Sequence, residues 1–145
     1  MSLYVDTSVL FSLYGTDANS PRADAWREAN PAPLDFTGLQ RVELRNALAL
    51  AVFQQRLTPS EAHAAWQEVQ RDLATGLLVP RPEPWTEVVR RAETLVGDYS
   101  ETVGSRSLDI LHVATALVWG ATTFCTFDIR QARLARLAGL QVQPL

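Results

Sequence analysis

Four acidic residues lie at predicted turns, beside apolar segments where an unpaired carboxylate costs free energy. Asp6 follows the apolar run "LYV", Glu43 lies in "VELRNAL", Asp109 lies in "SLDILHVATAL", and Asp128 ends "TFCTFD". Carboxylates that share a small space either hold protons or share a cation. Oxygen ligands of this kind suit a hard cation. The acids therefore indicate a site for Mg²⁺ or Mn²⁺ and for the phosphate oxygens that such an ion binds.

Each acid also has an ordinary structural explanation, which the sequence leaves open. Asp6 and Asp128 both precede a predicted helix and suit its N-cap. Asp109 would interact favourably with the dipole of the helix that contains it. Glu43 would form a surface ion pair with a neighbouring arginine. The joint placement of the four acids at turns is what favours a functional site.

Short apolar strands alternate with helical segments along the chain. Strands are predicted over 2–5, 34–37, 77–79, 122–126 and 140–142. Helices are predicted over 8–14, 21–29, 41–56, 58–76, 84–96, 108–119 and 129–137, with Ser20 and Ser107 as N-caps. This alternation is typical of an α/β fold whose mostly parallel central sheet of four to five strands is flanked by helices. Sites in such sheets form where the strands end, so we expect the four acids at one edge, with Glu43 in the first turn of its helix.

Composition limits the classes of protein to which the chain can belong. Its 145 residues suit a single domain, predicted over 1–145. The single cysteine, Cys125, excludes an intramolecular disulfide. The sequence shows neither a signal peptide nor a membrane span, so we expect a soluble cytoplasmic protein. All 13 basic residues are arginine, and without lysine there is no Walker-type phosphate loop, Schiff base or Ser-Lys catalysis.

In this order and in these settings, the four acids resemble those of PIN domains. The resemblance rests on "YVDTSVL", "VELRNAL", "SRSLDILHVATAL" and "TFCTFD", and it covers nearly the whole chain. It implies a three-layer α/β fold and a metal-dependent nuclease similar to the VapC-type toxin ribonucleases of toxin–antitoxin pairs. It also implies an RNA substrate, a small antitoxin protein as partner, and a homodimer.

The resemblance also assigns roles by position. It implies that the four acids bind Mg²⁺ or Mn²⁺; these are Asp6, Glu43, Asp109 and Asp128. A supporting shell would orient the carboxylates or water; its members are Thr7, Ser8, Asn46, His112 and Thr126. One or two bound ions would activate a water molecule for phosphodiester hydrolysis, with Glu43 or Asp128 taking its proton.

Other interpretations use the same residues differently. The alternative to a nuclease is a non-catalytic module that binds a metal or a partner through the acids. Phosphatases of the haloacid dehalogenase type and receiver domains need a lysine, which the chain lacks. Cys125 is expected to pack and not to act as a nucleophile beside His112, and His63 is expected to face solvent. The tryptophans either pack in the core or, with helix 41–56, line a groove for an antitoxin helix or a second copy; they are Trp26, Trp66, Trp85 and Trp119.

Overall fold

The computed structural model describes residues 2–145 and divides the chain into two compact units. Unit 1 comprises residues 2–6 and 83–145, and unit 2 comprises residues 7–82. In chain order the elements are β1 (Leu3–Val5), α1 (Thr7–Tyr14), α2 (Ser20–Ala29), β2 (Leu34–Phe36), α3 (Gly38–Phe53), α4 (Pro59–Thr75), β3 (Leu78–Pro80), α5 (Trp85–Leu95), α6 (Glu101–Val103), α7 (Ser107–Val118), β4 (Thr123–Cys125), α8 (Ile129–Leu137) and β5 (Gln141–Gln143). A π-helical turn, Val96–Ser100, connects α5 to α6.

The sheet of unit 1 consists of three parallel strands in the order β1-β4-β5, so β4 is central. Tyr4 in β1 pairs with Phe124 in β4, and their rings stack with 5.4 Å between the centroids. Helix α5 buries Val88, Ala92 and Leu95, which recur at helical spacing on one face. Helix α7 is mostly buried and packs against α5. The apolar periodicity of these segments thus builds the core of unit 1.

Unit 2 contains the parallel pair β2–β3 and helices with clear start signals. Thr37 caps α3 and Thr58 caps α4. Each forms a capping box with the third helical residue, Gln40 in α3 and Glu61 in α4. Pro59 adds a preset φ at the start of α4, which lies within one residue of its predicted bounds at each end.

The predicted α/β fold class is confirmed. Strands alternate with helices, and all the strand pairs within residues 2–145 are parallel, grouped as three strands and two strands. Helix α8 has the predicted bounds, Ile129–Leu137. No helix of the described chain is long and apolar enough to cross a membrane.

The start of α3 differs from the predicted one. The helix begins at Gly38 and not at residue 41, because Thr37 and Gln40 form the capping box three residues earlier. Glu43 therefore lies in the second turn of α3, not in the first as predicted. The helix dipole acts mainly within the first turn, so it contributes little at Glu43.

Two predicted N-caps are also wrong. Asn19, and not Ser20, precedes α2 as its N-cap. The Ser20 hydroxyl donates instead to the Ser12 carbonyl at 2.7 Å. Arg106, and not Ser107, is the N-cap of α7, and it makes no side-chain capping bond. In both cases the helix begins at the serine itself, so the serine already has helical backbone geometry.

Several apolar side chains that periodicity assigns to the core are exposed. Val89 on α5 and Val96 in the π-helical turn are exposed, because both lie at the edge of the helix face that buries Val88, Ala92 and Leu95. Trp26 and Trp66 are buried in unit 2, whereas Trp85 is exposed.

Candidate metal centre

Asp6 lies directly after β1 in unit 1, and only 4% of it is exposed. Its backbone N–H donates to the Cys125 carbonyl at 2.9 Å, which extends the pairing of β1 with β4 by one residue. This register brings Thr126 beside Asp6, and the Thr126 hydroxyl donates to Asp6 Oδ2 at 2.9 Å. The Asp6 carboxylate is therefore held in one direction at the carboxyl end of its strand.

The Thr126 hydroxyl contacts two acidic residues at once. While it donates to Asp6, its oxygen accepts a hydrogen bond from the backbone N–H of Asp128 at 3.0 Å. Thr126 thus connects the carboxylate of Asp6 to the start of α8.

Asp128 is the N-cap of α8, which confirms the structural explanation that the sequence left open for it. Its Oδ1 accepts hydrogen bonds from the backbone N–H groups of Arg130 and Gln131, at 2.9 and 3.0 Å. Both bonds end on the same oxygen, and Oδ2 lies outside the cap. Capping and metal binding are therefore compatible functions of this carboxylate.

Asp109 lies in the first turn of α7, as predicted. Its Oδ2 forms an ion pair with Arg106 Nε at 3.2 Å, in which the aspartate side chain is 13% exposed and the arginine side chain 74% exposed. Because the arginine is mostly in water, the pair contributes little to stability. The positive charge beside Asp109 nevertheless lowers the repulsion that this carboxylate would exert on an anion.

Gln131 is a polar residue of this region that the sequence analysis missed. It is buried, its backbone N–H donates to Asp128 Oδ1, and its side-chain Nε2 donates to the Asp109 carbonyl at 3.4 Å. It therefore connects the two segments that carry Asp109 and Asp128. The one signal in the sequence is a glutamine on the otherwise apolar buried face of α8.

In unit 2, Glu43 accepts a hydrogen bond on Oε1 from the Thr7 hydroxyl at 3.1 Å. Thr7 is buried at the start of α1 and directly follows Asp6 in the sequence. The Ser8 carbonyl accepts a hydrogen bond from the Ser12 hydroxyl. Asn46 lies exposed on α3. The supporting roles of Ser8 and Asn46 stay predictions.

His112 is buried in the core of unit 1, where its Nδ1 lies 2.6 Å from the Tyr4 hydroxyl oxygen in a hydrogen bond. Its supporting role at a metal also stays a prediction. Cys125 is completely buried, as expected of a packing residue, and His63 is exposed as predicted. Burial raises the pKa of the Cys125 thiol to about 12, and the charge of Asp6 adds to this shift. The nucleophilic thiolate is therefore suppressed at neutral pH.

We predict that Cys125 makes the free energy of unfolding fall above pH 9. Burial raises the pKa of this thiol from its ordinary value of 9.0 to about 12, so the folded state holds the proton more tightly than an exposed thiol does. The stabilising effect is complete below pH 9 and is lost as the pH rises from 9 toward 12. Urea unfolding across this range measures the effect.

Cys125→Ala provides the control for this pH dependence, since it removes the thiol. The variant has a different stability at neutral pH because a buried side chain is smaller, so the slopes against pH are compared and not the absolute values. Equal slopes in the two proteins would contradict the prediction.

The donor chemistry of the four acids fits a hard cation, because carboxylate oxygens are the ligands that Mg²⁺ and Mn²⁺ prefer. The burial of Asp6 and the orienting hydroxyl of Thr126 are features of a metal ligand with outer support. Among residues 2–145, however, no group of three or more His, Cys, Asp or Glu side chains is arranged to hold a metal ion.

Comparison with known families identifies the chain. The family model described as "PIN domain" matches residues 3–137, which include all four acids and parts of both units. The chain belongs to the PIN domain family. A search of curated proteins yields no significant match.

Solved structures share the fold of this PIN domain at low sequence identity. VapC20 from Mycobacterium tuberculosis, described as a sarcin-ricin loop cleaving toxin, has a TM-score of 0.70 at 18% identity, covering 99% of this chain and 100% of that one. FitAcB from Neisseria gonorrhoeae has a TM-score of 0.66 at 21% identity, covering 98% and 96%. PAE2754 from Pyrobaculum aerophilum has a TM-score of 0.61 at 19% identity, covering 98% and 89%. These likenesses show a shared fold.

Proposed function

We propose that this PIN domain is an endoribonuclease that requires Mg²⁺ or Mn²⁺ and hydrolyses RNA phosphodiester bonds. Its metal-binding residues would be Asp6, Glu43, Asp109 and Asp128. The observation that carries the proposal is the arrangement around Thr126, whose hydroxyl joins the buried Asp6 carboxylate to the start of the helix that Asp128 caps. A buried carboxylate of this kind is stabilised when a cation binds it.

Two threonines and two of the acids have distinct tasks in this proposal. Thr126 fixes the direction of the Asp6 carboxylate, and Thr7 does the same for Glu43. Asp128 uses Oδ1 to hold the start of α8 and keeps Oδ2 for the cation. A cation held by these acids would supply a lowered pKa for the attacking water and positive charge beside the scissile phosphate. Glu43 or Asp128 takes the proton of the attacking water.

The test of this function is the cutting of a cellular RNA pool by the purified protein. We expect discrete cleavage with Mg²⁺ or Mn²⁺, loss of cleavage with EDTA, and recovery when Mn²⁺ is added back. Asp128→Asn is the informative variant, because asparagine also caps helices but carries no charge. We expect it to keep the melting temperature and to lose cleavage by at least about 100-fold.

The alternative outcomes have clear meanings. Cutting that survives both EDTA and Asp128→Asn comes from a contaminant or from a different site, and it overturns the proposal. The absence of any cutting by folded, inhibitor-free protein favours the non-catalytic module that binds a metal or a partner through these acids.

The orienting role of Thr126 leads to a separate prediction. Thr126→Val is nearly isosteric but removes the hydroxyl. We expect it to weaken Mn²⁺ binding and RNA cleavage by about 10- to 100-fold. Thr126→Ser keeps the hydroxyl and should remain close to the wild type. Calorimetric titration with Mn²⁺ gives the affinity, and equal affinities for the valine and serine variants would exclude the orienting role.

We further propose that the protein is the toxin of a type II toxin–antitoxin pair. The support is the family, together with the full-length fold likeness to VapC20, which is described as a toxin that cleaves the sarcin-ricin loop. The partner would be a small antitoxin protein, and the active form a cytoplasmic homodimer. Growth arrest on expression, relieved by co-expression of a small protein encoded beside it, tests this assignment.

A further inference from the structure

The two acid-bearing segments of unit 1 carry the same kinds of side chain beside the acid. In the first segment, Arg106 and Leu108 precede Asp109; in the second, Ile129 and Arg130 follow Asp128. Leu108 is 45% exposed and Ile129 is 88% exposed, and both arginines are exposed. Each candidate metal-binding aspartate therefore has one exposed apolar residue and one exposed arginine beside it. We call these four residues, Arg106, Leu108, Ile129 and Arg130, the flanking patch.

Hydrogen bonds hold the two segments side by side. Arg130 Nη1 donates to the Gly104 carbonyl, and Gln131 Nε2 donates to the Asp109 carbonyl, both at 3.4 Å. Helix α7 also packs directly against α8. The start of α8 thus lies against the segment that leads into α7, and the flanking patch belongs to one region of unit 1.

The apolar residues of the flanking patch do not pack in the core of unit 1. Helix α8 buries Ala132, Leu134 and Ala135 on one face, and Ile129 is not part of that face. In α7 the buried residues begin at Ile110, after Leu108 and Asp109. Folding therefore gains little from these two apolar side chains, and their exposure leaves them available to a ligand.

We propose that the flanking patch binds an unpaired stretch of the RNA substrate, with Arg106 and Arg130 on backbone phosphates and with Leu108 and Ile129 against a base. Guanidinium groups match the geometry of phosphate oxygens and complement their charge. The faces of bases are accessible to apolar side chains only where RNA is unpaired. The proposal rests on the proposed function, since it defines how RNA is held beside the acids.

The test measures RNA binding by the full-length chain carrying Asp6→Asn, which removes a proposed metal ligand and prevents cutting during the measurement. The probe is a short fluorescein-labelled RNA of mixed sequence, either single-stranded or annealed to its complement. Fluorescence anisotropy gives the affinity at several salt concentrations in Mg²⁺. Arg130→Gln and Ile129→Ala are each introduced into this parent.

The two substitutions should have different signatures. Arg130→Gln should weaken binding. It should also make the slope of log affinity against log salt less negative by about 0.7, which corresponds to the loss of one phosphate contact on a single strand. Ile129→Ala should weaken single-strand binding about fivefold, because less apolar area is buried against the base. It should leave the salt slope unchanged and reduce the preference for single strand over duplex.

Matched controls come from unit 2. Phe53 on α3 is 84% exposed, close to the exposure of Ile129, and Arg71 on α4 is an exposed arginine. Phe53→Ala and Arg71→Gln should leave both affinity and salt slope unchanged. The inference is overturned if the parent does not bind single-stranded RNA, or if the Ile129 and Arg130 variants behave like these controls. Altered self-association of those variants with unchanged RNA binding would also overturn it and would identify a protein contact.

The experiments distinguish failure of the flanking patch from failure of the proposed nuclease function. Cleavage by the wild type together with unchanged binding in the patch variants would overturn the flanking patch alone. Patch-dependent RNA binding by a wild type that does not cut would uphold the patch and overturn the nuclease.

Discussion

Asp6→Asn is expected to abolish the stabilisation of this PIN domain by Mn²⁺ and to lower RNA cleavage by at least about 100-fold. A ligand that binds only the folded state at 100 times its Kd stabilises it by about 2.7 kcal/mol. For a chain of this length, that corresponds to a rise in Tm of about 5–10 °C. The variant should lose this rise, because Asp6 is the most deeply buried of the four proposed ligands. Thermal unfolding with and without Mn²⁺ measures the effect.

The substitution is chosen to preserve the fold. Asparagine keeps an oxygen that accepts the Thr126 hydroxyl, so the Tm without Mn²⁺ should change little. Asp24→Asn removes an exposed carboxylate on α2 and is the matched control, in which the Mn²⁺ effect should be intact. A full Mn²⁺-induced rise in the Asp6 variant would remove Asp6 from the metal site.

Phe124→Ala is expected to lower the free energy of unfolding by about 3–5 kcal/mol. Phe124 is completely buried on the central strand of unit 1 and stacks on Tyr4. Its truncation leaves a cavity beside the pairing of β1 with β4, the same pairing that positions Asp6. Because natural domains are stable by only about 5–15 kcal/mol, the loss is a large fraction of the total. Equilibrium unfolding in urea measures it.

Phe53→Ala tests whether burial is the cause. Phe53 is the same residue type at the end of α3, where it is mostly exposed, so its loss should change stability by less than about 0.5 kcal/mol. Similar losses of stability at the two positions would show that burial of Phe124 is not the cause of its effect.

Much of the local structure follows from signals within a few residues. Proline at the first turn and a capping box define α4, and Asp128 with the apolar repeat that follows it defines α8. Alternating strands and helices predict the α/β class, and the four motifs predict the family, which the match over residues 3–137 confirms. These features depend on backbone preferences and side-chain spacing, which are encoded locally.

The errors in the sequence-based description arise where a residue has two possible partners. Ser20 suits an N-cap, but its hydroxyl instead bonds to the Ser12 carbonyl in the preceding helix. Thr37 is predicted as the last residue of a strand, but it caps α3 instead. Its capping box with Gln40 starts the helix at Gly38 and places Glu43 in the second turn. The choice between such partners depends on packing that a short window does not contain.

The sequence by itself determined which residues are acidic, where helices can begin, and which family the chain belongs to. Only the tertiary structure decided that Thr126 contacts Asp6, that Gln131 joins the segments of Asp109 and Asp128, and that Ile129 is exposed. Thr126 and Asp6 are 120 positions apart, and they meet because β1 pairs with β4 in one register. A register of this kind is set by the burial of whole strand faces, so its consequences at single residues emerge only when the strands are packed together.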